Sequence, residues 1–152
     1  MEDAPRILLQ EEPEASELVQ RQMAEDGVVF RLNSQARHVW NQDWEIHIIA
    51  GGQELTTDAL ILSVGRRPAV DGLDLVKAGV DHSRAVITVN NHLRTSQPHI
   101  YAAGDCTGGY QFTHYAGFQG LMAVRNAFLP GAATAVLERV PWATFTDPEV
   151  AH

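Results

Sequence analysis

The chain has 152 residues, a net charge of −8 and a hydrophobic content of 45%. That length suffices for one domain or two half-sized ones with a buried core. The acidic balance argues against a nucleic-acid partner, because phosphates must be neutralised by a basic surface that this sequence lacks. No apolar run approaches the ~20 residues that a membrane span needs, so no membrane partner is expected.

The cysteine and histidine content limits the chemistry further. The single cysteine, Cys106, excludes an intrachain disulfide and favours a reducing, cytoplasmic environment. The position of Cys106 leaves two interpretations open, a buried packing residue or a reactive thiol. The seven histidines lack the close spacing and neighbouring ligands of a zinc site, so no metal site is expected.

The first half of the chain predicts a helix followed by a β-meander. Glu14–Asp26 has apolar residues at helical spacing, acidic residues in its first turn and Gly27 as its stop. Short alternating or apolar runs then predict strands, with turns at 41–43 and 51–52. The predicted strands are Val28–Leu32, Arg37–Trp40, Trp44–Ala50 and Ala59–Val64.

The second half predicts shorter elements around one long helix. The 66–72 loop is the predicted domain boundary, and a second boundary is predicted at 131–139. The long helix is predicted at 113–129 and ends before Pro130-Gly131. The remaining predicted elements are a weak helix at 73–78, strands at 85–89, 100–103 and 140–145, and a turn at 146–149.

The run from Thr95 to Asp105 is the most informative segment. Ile100–Ala103 is short and apolar and is followed by a glycine, which predicts a buried strand of a parallel sheet. Asp105 then lies beyond the carboxyl end of that strand, where open α/β sheets bind their ligands. Gly104 has no side chain, so a ligand can approach the backbone closely. The Asp105 carboxylate is suited to accept hydrogen bonds from sugar-like hydroxyls.

Several stretches resemble the FAD-dependent pyridine nucleotide-disulfide oxidoreductases. Thr95–Asp105 resembles the second FAD-contacting motif of that family, and the loop Gly104–His114 is most similar to the mercuric reductase type. Ile61–Pro68 resembles the strand and loop that close the NAD(P)-binding domain. Val140–Ala151 is similar to the first strand of the dimerisation domain, and Pro5–Leu8 is a fainter match within the NAD(P)-binding domain.

The resemblance implies a fold class and a division of the chain. The fold is expected to be α/β, with partial FAD/NAD(P)-binding (Rossmann-like) domains and a β-meander. Residues 1–66 would be the C-terminal part of the NAD(P)-binding domain, and residues 67–138 the returning segment of the FAD-binding domain. Residues 139–152 would begin the dimerisation domain.

The resemblance also implies FAD and NAD(P)H as cofactors and assigns residues to them. Asp105 would hold the ribityl chain of FAD, and Gly65 would let the chain turn close to the dinucleotide. The N-terminus of the long helix would face the pyrimidine side of the flavin, where free amides and a partial positive charge stabilise the reduced ring. Glu2 would bind the adenosine ribose of NADH, unless it belongs to a frayed end. The predicted cofactor-binding residues are Gly104, Asp105, Gln111, Phe112, Thr113, His114, Gly65 and Glu2.

Three chemical parts of the family are absent from the sequence, so no catalytic residue is predicted. There is no GxGxxG fingerprint, no Cys-x4-Cys redox pair and no C-terminal His–Glu pair. We therefore expect a fragment without turnover, from a homodimeric parent of the mercuric reductase or dihydrolipoamide dehydrogenase type. Such a parent passes electrons from NAD(P)H through FAD to a small disulfide, dithiol or metal-ion acceptor.

Other interpretations of the sequence stay open. The chain is alternatively a non-catalytic FAD- or nucleotide-binding module, for which an intact Gly104-Asp105 loop suffices. It is alternatively a self-associating fragment, because strands left without neighbours expose unpaired edges. A parent similar to thioredoxin reductase is a further alternative, although that group lacks the extra C-terminal domain that the last residues resemble.

Overall fold

The computed structural model describes residues 1–84, 86–135, 138 and 140–152. Internal contacts divide the chain into two compact units. The first unit contains Met1–Val64 and Ala143–His152, and the second contains Gly65–Trp142. Each unit has its own buried residues.

The first unit begins with helix α1, Pro13–Glu25. Proline is favourable in a first helical turn, because its ring presets φ and its missing N–H would have no partner there. Gly27 follows the C-cap with φ +94°, a backbone conformation that suits glycine. The predicted helix and its stop are therefore confirmed. Val19 is fully buried, and the Ser16 hydroxyl donates a hydrogen bond to the Ile7 carbonyl at 2.7 Å.

The predicted β-meander is present as three antiparallel strands in the order β1-β2-β3. Their bounds are Ala36–Gln42, Glu45–Ala50 and Gln53–Thr57. The Gly51-Gly52 turn is confirmed, and both glycines have positive φ. Ile48 and Ala50 of the central strand are buried, so the meander turns one face of that strand inward.

Two predicted strands of the first unit are wrong. The third strand of the meander is not Ala59–Val64, because the Gly51-Gly52 turn starts the ladder at Gln53 and the pairing with β2 ends at Thr57. Ile61, Leu62 and Val64 are instead 88%, 71% and 91% exposed. Val28–Leu32 is not a strand either, and only isolated bonds join this region to the N-terminus, such as Glu2 N–H to the Arg31 carbonyl at 2.9 Å.

The last residues of the first unit form a small hairpin. Strands β4, Ala143–Thr144, and β5, Val150–Ala151, pair antiparallel. The bends at 146–148 lie within the predicted turn. The predicted strand at 140–145 is thus shorter than expected, because β4 pairs over two residues only.

The second unit is built on helix α2, Thr113–Phe128, which confirms the predicted long helix and its end before Pro130-Gly131. The core of this unit is a cluster of Val70, Val80, Ile87 and Ala102. Apart from α2, the described backbone of this unit consists of turns, a 3₁₀ turn and isolated bridges.

The predicted short elements of the second unit differ from the structure. Residues 73–78 form turns rather than a helix, because Asp74 has φ +49°. In the predicted strand 85–89, Ala85 lies outside the described residues, and Ile87 makes a single bridge to His82. The predicted boundary at 131–139 also includes residues outside the described part.

Ile100–Ala103 does not form the predicted strand of a parallel sheet. Tyr101 makes an antiparallel bridge to Arg94, and the Ala102 N–H donates to the Leu93 carbonyl at 3.1 Å. Both sheets among the described residues are antiparallel, so this segment has no parallel neighbour to pair with. Neither described helix combines the length and apolar character that crossing a membrane requires.

Candidate functional site

The turn after Ile100–Ala103 is centred on Gly104, which is buried and has φ +80°. Its N–H donates to the Oε1 atom of Gln119 at 2.8 Å. Its carbonyl accepts two hydrogen bonds from Thr107, one from the backbone N–H at 2.9 Å and one from the hydroxyl at 2.8 Å. The peptide groups on both sides of Gly104 are therefore fixed by neighbouring residues.

The structure gives a different reason for glycine at position 104 from the one the sequence suggested. A Cβ atom on Gly104 would lie 3.1 Å from the Cβ of Ala116 in α2. Helix α2 thus occupies the space beside the turn, and the positive φ independently favours glycine. The positive φ and the close contact with Ala116 both favour glycine here, whether or not a ligand approaches the same backbone.

Asp105 begins a 3₁₀ turn, Asp105–Thr107, directly after Gly104. Its backbone carbonyl accepts a bond from the Gly108 N–H at 3.1 Å. The residue is half-buried, and its carboxylate forms no hydrogen bond or ion pair with any residue the structure describes. A charged acceptor in this position has bonding capacity for a ligand.

Cys106 lies in the same turn. Its thiol donates a hydrogen bond to the Ala103 carbonyl at 3.3 Å, and its side chain packs against the core cluster of the second unit. This surrounding supports the packing interpretation of Cys106 rather than a reactive thiol.

The N-terminus of α2 follows the glycine-rich loop. Phe112 is the N-cap residue with extended backbone, and no side chain caps this end of the helix. Ala116 N–H makes the first intrahelical bond, to the Phe112 carbonyl at 2.9 Å. The N–H groups of Thr113 and His114 therefore lie ahead of that bond, and both residues are exposed. Uncapped amides at a helix N-terminus favour a negatively charged group.

An aromatic cluster surrounds the start of α2. The Phe112 ring stacks with those of His114 and Trp142, at centroid distances of 5.5 Å and 5.9 Å. Tyr110 lies 5.5 Å from Trp142, and His114 Nε2 donates to the Pro141 carbonyl at 2.8 Å. These contacts hold the N-cap residue in place.

The remaining predicted residues are placed as follows. Gln111 is connected to the Gly65 loop, because Arg66 Nη1 donates to the Gln111 carbonyl at 3.2 Å. Gly65 is exposed with φ +110°. Glu2 lies in the first unit, where its carboxylate accepts a bond from the Ala4 N–H at 3.1 Å. Seven of the eight predicted residues thus belong to the second unit.

Sequence reasoning missed the residues that hold the site together, above all Gln119. Gln119 is 3% exposed and Asn126 is 7% exposed, although both carry a carboxamide. They lie seven residues apart on α2 and therefore share one face. Polar residues on the buried face of an otherwise apolar helix were the available signal, because buried carboxamides need specific partners.

A separate cavity of about 680 Å³ lies in the second unit and includes none of the predicted residues. Its acidic lining residues are already paired, Asp71 with Arg67 at 2.9 Å and Asp74 with Lys77 at 2.8 Å. In the part of the chain that the structure describes, no three histidine, cysteine or acidic side chains come together as metal ligands. The Gly104–Asp105 turn therefore remains the candidate site.

Comparison with curated proteins finds relatives along the whole chain. The chain is 37% identical over 155 residues to a dihydrolipoyl dehydrogenase of Bacillus subtilis, covering 99% of the chain and 33% of that protein. It is 35% identical over 146 residues to a mercuric reductase of Acidithiobacillus ferrooxidans, covering 95% of the chain and 26% of that protein.

Comparison with solved structures finds the same fold. LpdA from Mycobacterium tuberculosis superposes with a TM-score of 0.89 at 29% identity, over 98% of this chain and 33% of that one. A Cu(II) complex of RclA, a flavoprotein disulfide reductase from Escherichia coli, gives a TM-score of 0.88 at 27% identity, over 99% of this chain and 35% of that one. The predicted α/β fold of partial FAD/NAD(P)-binding domains with a β-meander is thereby confirmed.

These relatives are about three to four times as long as the part that this chain matches. Residues 1–120 match the family described as pyridine nucleotide-disulphide oxidoreductase, whose members depend on FAD and NAD(P)H. The chain belongs to the pyridine nucleotide-disulphide oxidoreductase family.

Proposed function

We propose that this chain supplies the second FAD-binding segment of an FAD-dependent oxidoreductase. The whole protein would take a hydride from NAD(P)H and pass electrons through flavin to a disulfide, a dithiol or a metal ion. It would be of the mercuric reductase or dihydrolipoamide dehydrogenase type, which agrees with relatives of both names.

The observation that carries this proposal is the Asp105 carboxylate. Asp105 is half-buried beside a turn fixed on both sides, and no described residue donates to its carboxylate. The two oxygens of this carboxylate are suited to accept hydrogen bonds from vicinal hydroxyls, and the ribityl chain of FAD provides such hydroxyls. The residues present therefore fit the cofactor, with Asp105 as the acceptor.

The N-terminus of α2 supports the same cofactor. When bound, FAD supplies the electron-transfer chemistry, and its ring gains negative charge as it is reduced. The exposed amides of Thr113 and His114 and the partial positive charge of the helix end would stabilise that charge. The stacked rings around Phe112 keep this end of the helix ordered, so Gln111, Phe112, Thr113 and His114 would face the flavin by their backbone.

The rest of the assignment follows the family. Residues 1–66 would complete the NAD(P)-binding domain, with Glu2 at the adenosine ribose and Gly65 close to the dinucleotide. Residues 67–138 would be the returning FAD-binding segment, and 139–152 would begin the dimerisation domain of a homodimer. We propose no turnover for this chain alone, since its sequence has no paired cysteines to accept electrons from flavin.

Two other functions remain as alternatives. The intact Gly104–Asp105 turn suits a non-catalytic FAD- or nucleotide-binding module. The exposure of Ile61, Leu62 and Val64 suits a self-associating fragment instead. The hairpin at 143–151 disfavours a parent similar to thioredoxin reductase. The hairpin fits the first strand of an added C-terminal domain, and that group lacks this domain.

A fluorescence titration of FAD with the purified chain, run beside sedimentation velocity, tests the proposal. We expect saturable quenching of flavin fluorescence, competition by riboflavin and no competition by ADP, because the proposed contacts involve the ribityl chain and the ring. Competition by ADP alone would favour a nucleotide-binding module. Concentration-dependent association without any FAD binding would overturn the proposal in favour of a self-associating fragment.

A further inference from the structure

We propose that Gln119 is a positioning residue of the cofactor site, acting through the Gly104 peptide on Asp105. The inference rests on the proposed function, because it concerns the same turn. It adds a residue seven positions into α2 that touches no proposed ligand itself.

The Gly104 N–H has no backbone acceptor among the described residues, and Gln119 Oε1 at 2.8 Å is its partner. Both groups are buried. A buried N–H without an acceptor costs about 1–3 kcal/mol, so the turn depends on this side chain. The Gly104 N–H lies one peptide ahead of Asp105, so fixing it sets the direction in which the chain enters Asp105 together with the two bonds from Thr107 to the Gly104 carbonyl.

The same bond explains why position 119 carries a carboxamide. The side chain is 3% exposed, and its Nε2 atom donates to none of the described residues. No fully buried side-chain nitrogen or oxygen in the described part lacks a partner, so Nε2 reaches the surface. Packing alone would be served by leucine or methionine at this position. Among the described residues, the bond to Gly104 is thus the only fixed polar contact that the carboxamide makes.

Ala116 reinforces the arrangement, because it lies one turn before Gln119 on the same helix face. Its Cβ would be 3.1 Å from a Cβ on Gly104, so α2 contacts the turn through the Ala116 side chain and through the hydrogen bond of Gln119. Loss of the hydrogen bond between Gln119 and the Gly104 N–H would leave the Ala116 contact in place and let the peptide group that carries this N–H rotate. The expected result is a folded protein in which the Asp105 carboxylate is less well ordered.

Asn126 is the matched control. It is a buried carboxamide on the same helix, and it bonds the Ala133 N–H at 2.8 Å and the His92 carbonyl at 3.1 Å, away from Gly104. Asn126→Leu removes four side-chain hydrogen bonds where Gln119→Met removes one, so it should destabilise the fold at least as much, without changing the turn. Gln119→Glu keeps an acceptor for the Gly104 N–H and tests rescue.

The experiment compares the four chains by amide hydrogen exchange at Gly104 and by FAD titration. For Gln119→Met we expect exchange at Gly104 to become at least tenfold faster and FAD binding to weaken about fivefold to tenfold, the worth of one hydrogen bond. Asn126→Leu should change neither, and Gln119→Glu should restore most of both.

Each outcome decides one question. An unprotected Gly104 amide in the unsubstituted chain, or equal effects of Gln119→Met and Asn126→Leu at Gly104, would overturn the positioning role. If exchange at Gly104 responds to Gln119→Met and FAD affinity does not, the positioning of Asp105 for the cofactor is overturned. If the unsubstituted chain binds no FAD, the proposed function of the chain fails, and exchange at Gly104 still decides whether Gln119 holds the turn.

Discussion

The meander and the Gly104 turn are stabilised in different ways. The meander of β1, β2 and β3 is held by backbone ladders. The β2–β3 ladder runs in register from Ile46 opposite Thr57 to Ala50 opposite Gln53, and the β1–β2 ladder has one register shift, between Ala36 and His38. The Gly104 turn is held by side chains that bond to backbone groups, from Gln119 and Thr107. A ladder distributes its stability over many residues, whereas the turn depends on a few, so single substitutions should affect the turn more.

The largest effect is expected for Gly104→Val. The branched side chain would meet Ala116 and would sit at φ +80°, so strain and overpacking should together lower the free energy of unfolding by about 4 kcal/mol. FAD binding would be lost with the fold. Urea denaturation followed by circular dichroism measures the first effect, and flavin fluorescence measures the second.

Gly109→Val is its control, because Gly109 has φ +75° and a Cβ at this position would meet no atom within 4 Å. Both glycines have a positive φ of similar size, and the contact with α2 is absent at Gly109, so about half of the loss is expected. Equal losses for the two variants would show that Ala116 plays no part in the requirement for glycine at 104.

Asp105→Ala should affect the ligand rather than the fold. The carboxylate has no partner among the described residues, so the free energy of unfolding measured in urea should change by less than about 0.5 kcal/mol. FAD binding should weaken by roughly 1.5–3 kcal/mol, the worth of a hydrogen bond to a charged group. Asp105→Asn keeps one acceptor oxygen and should lose less. Unchanged FAD retention after dialysis of Asp105→Ala would refute the role of this residue.

The same contrast explains which features could be predicted from the sequence. Helices α1 and α2 and the Gly51-Gly52 turn follow from periodicity and from glycine or proline at their ends. The third strand of the meander was predicted at 59–64 from its apolar residues. It lies at 53–57 instead, because the turn at 51–52 pairs the residues that directly follow it with β2. A local sequence pattern does not show which residues pair across a turn.

The candidate turn was predicted from its residue types, but its supporting contacts were not. Gly104 and Asp105 are next to each other in the chain, so the motif names both. Gln119 is fifteen residues away, and only the packing of α2 brings its carboxamide to the Gly104 N–H. The expected parallel strand at 100–103 failed for a related reason, since pairing depends on distant segments rather than on the apolar run itself.

A medium effect is expected at Glu11, where a side chain supports a short ladder. Glu11 is 5% exposed, accepts a bond from the Thr144 hydroxyl at 2.6 Å and contacts His152. The β4–β5 ladder has two residue pairs, so it should depend on this carboxylate. Glu11→Ala should lower the free energy of unfolding by about 2 kcal/mol and speed amide exchange at Val150.

The neighbouring Glu12 is exposed and provides the matched control for Glu11. Glu12 is also the N-cap residue of α1, where its charge contributes about 0.3–1 kcal/mol. Glu12→Ala should therefore lower the free energy of unfolding less than Glu11→Ala and leave the exchange of β5 unchanged. If Glu11→Ala behaves like Glu12→Ala, the hairpin is held by its backbone alone, and the contrast between ladder and side-chain support does not extend to it.

The smallest effect, and one of opposite sign, is expected in the meander turn. Asp43 and Trp44 join β1 to β2 with φ values of +51° and +71°, and Trp44 is fully exposed. Two-residue hairpin turns with positive φ favour glycine, so Trp44→Gly should raise the free energy of unfolding by about 0.5 kcal/mol. Trp40→Gly should lower it, because the Trp40 ring stacks on His47 at 5.0 Å across the ladder. A loss of stability in Trp44→Gly would mean that this turn depends on the Trp44 side chain, as the turn at Gly104 depends on side chains. The distinction between a meander held by its backbone ladder and a turn held by side chains would then fail where β1 turns into β2.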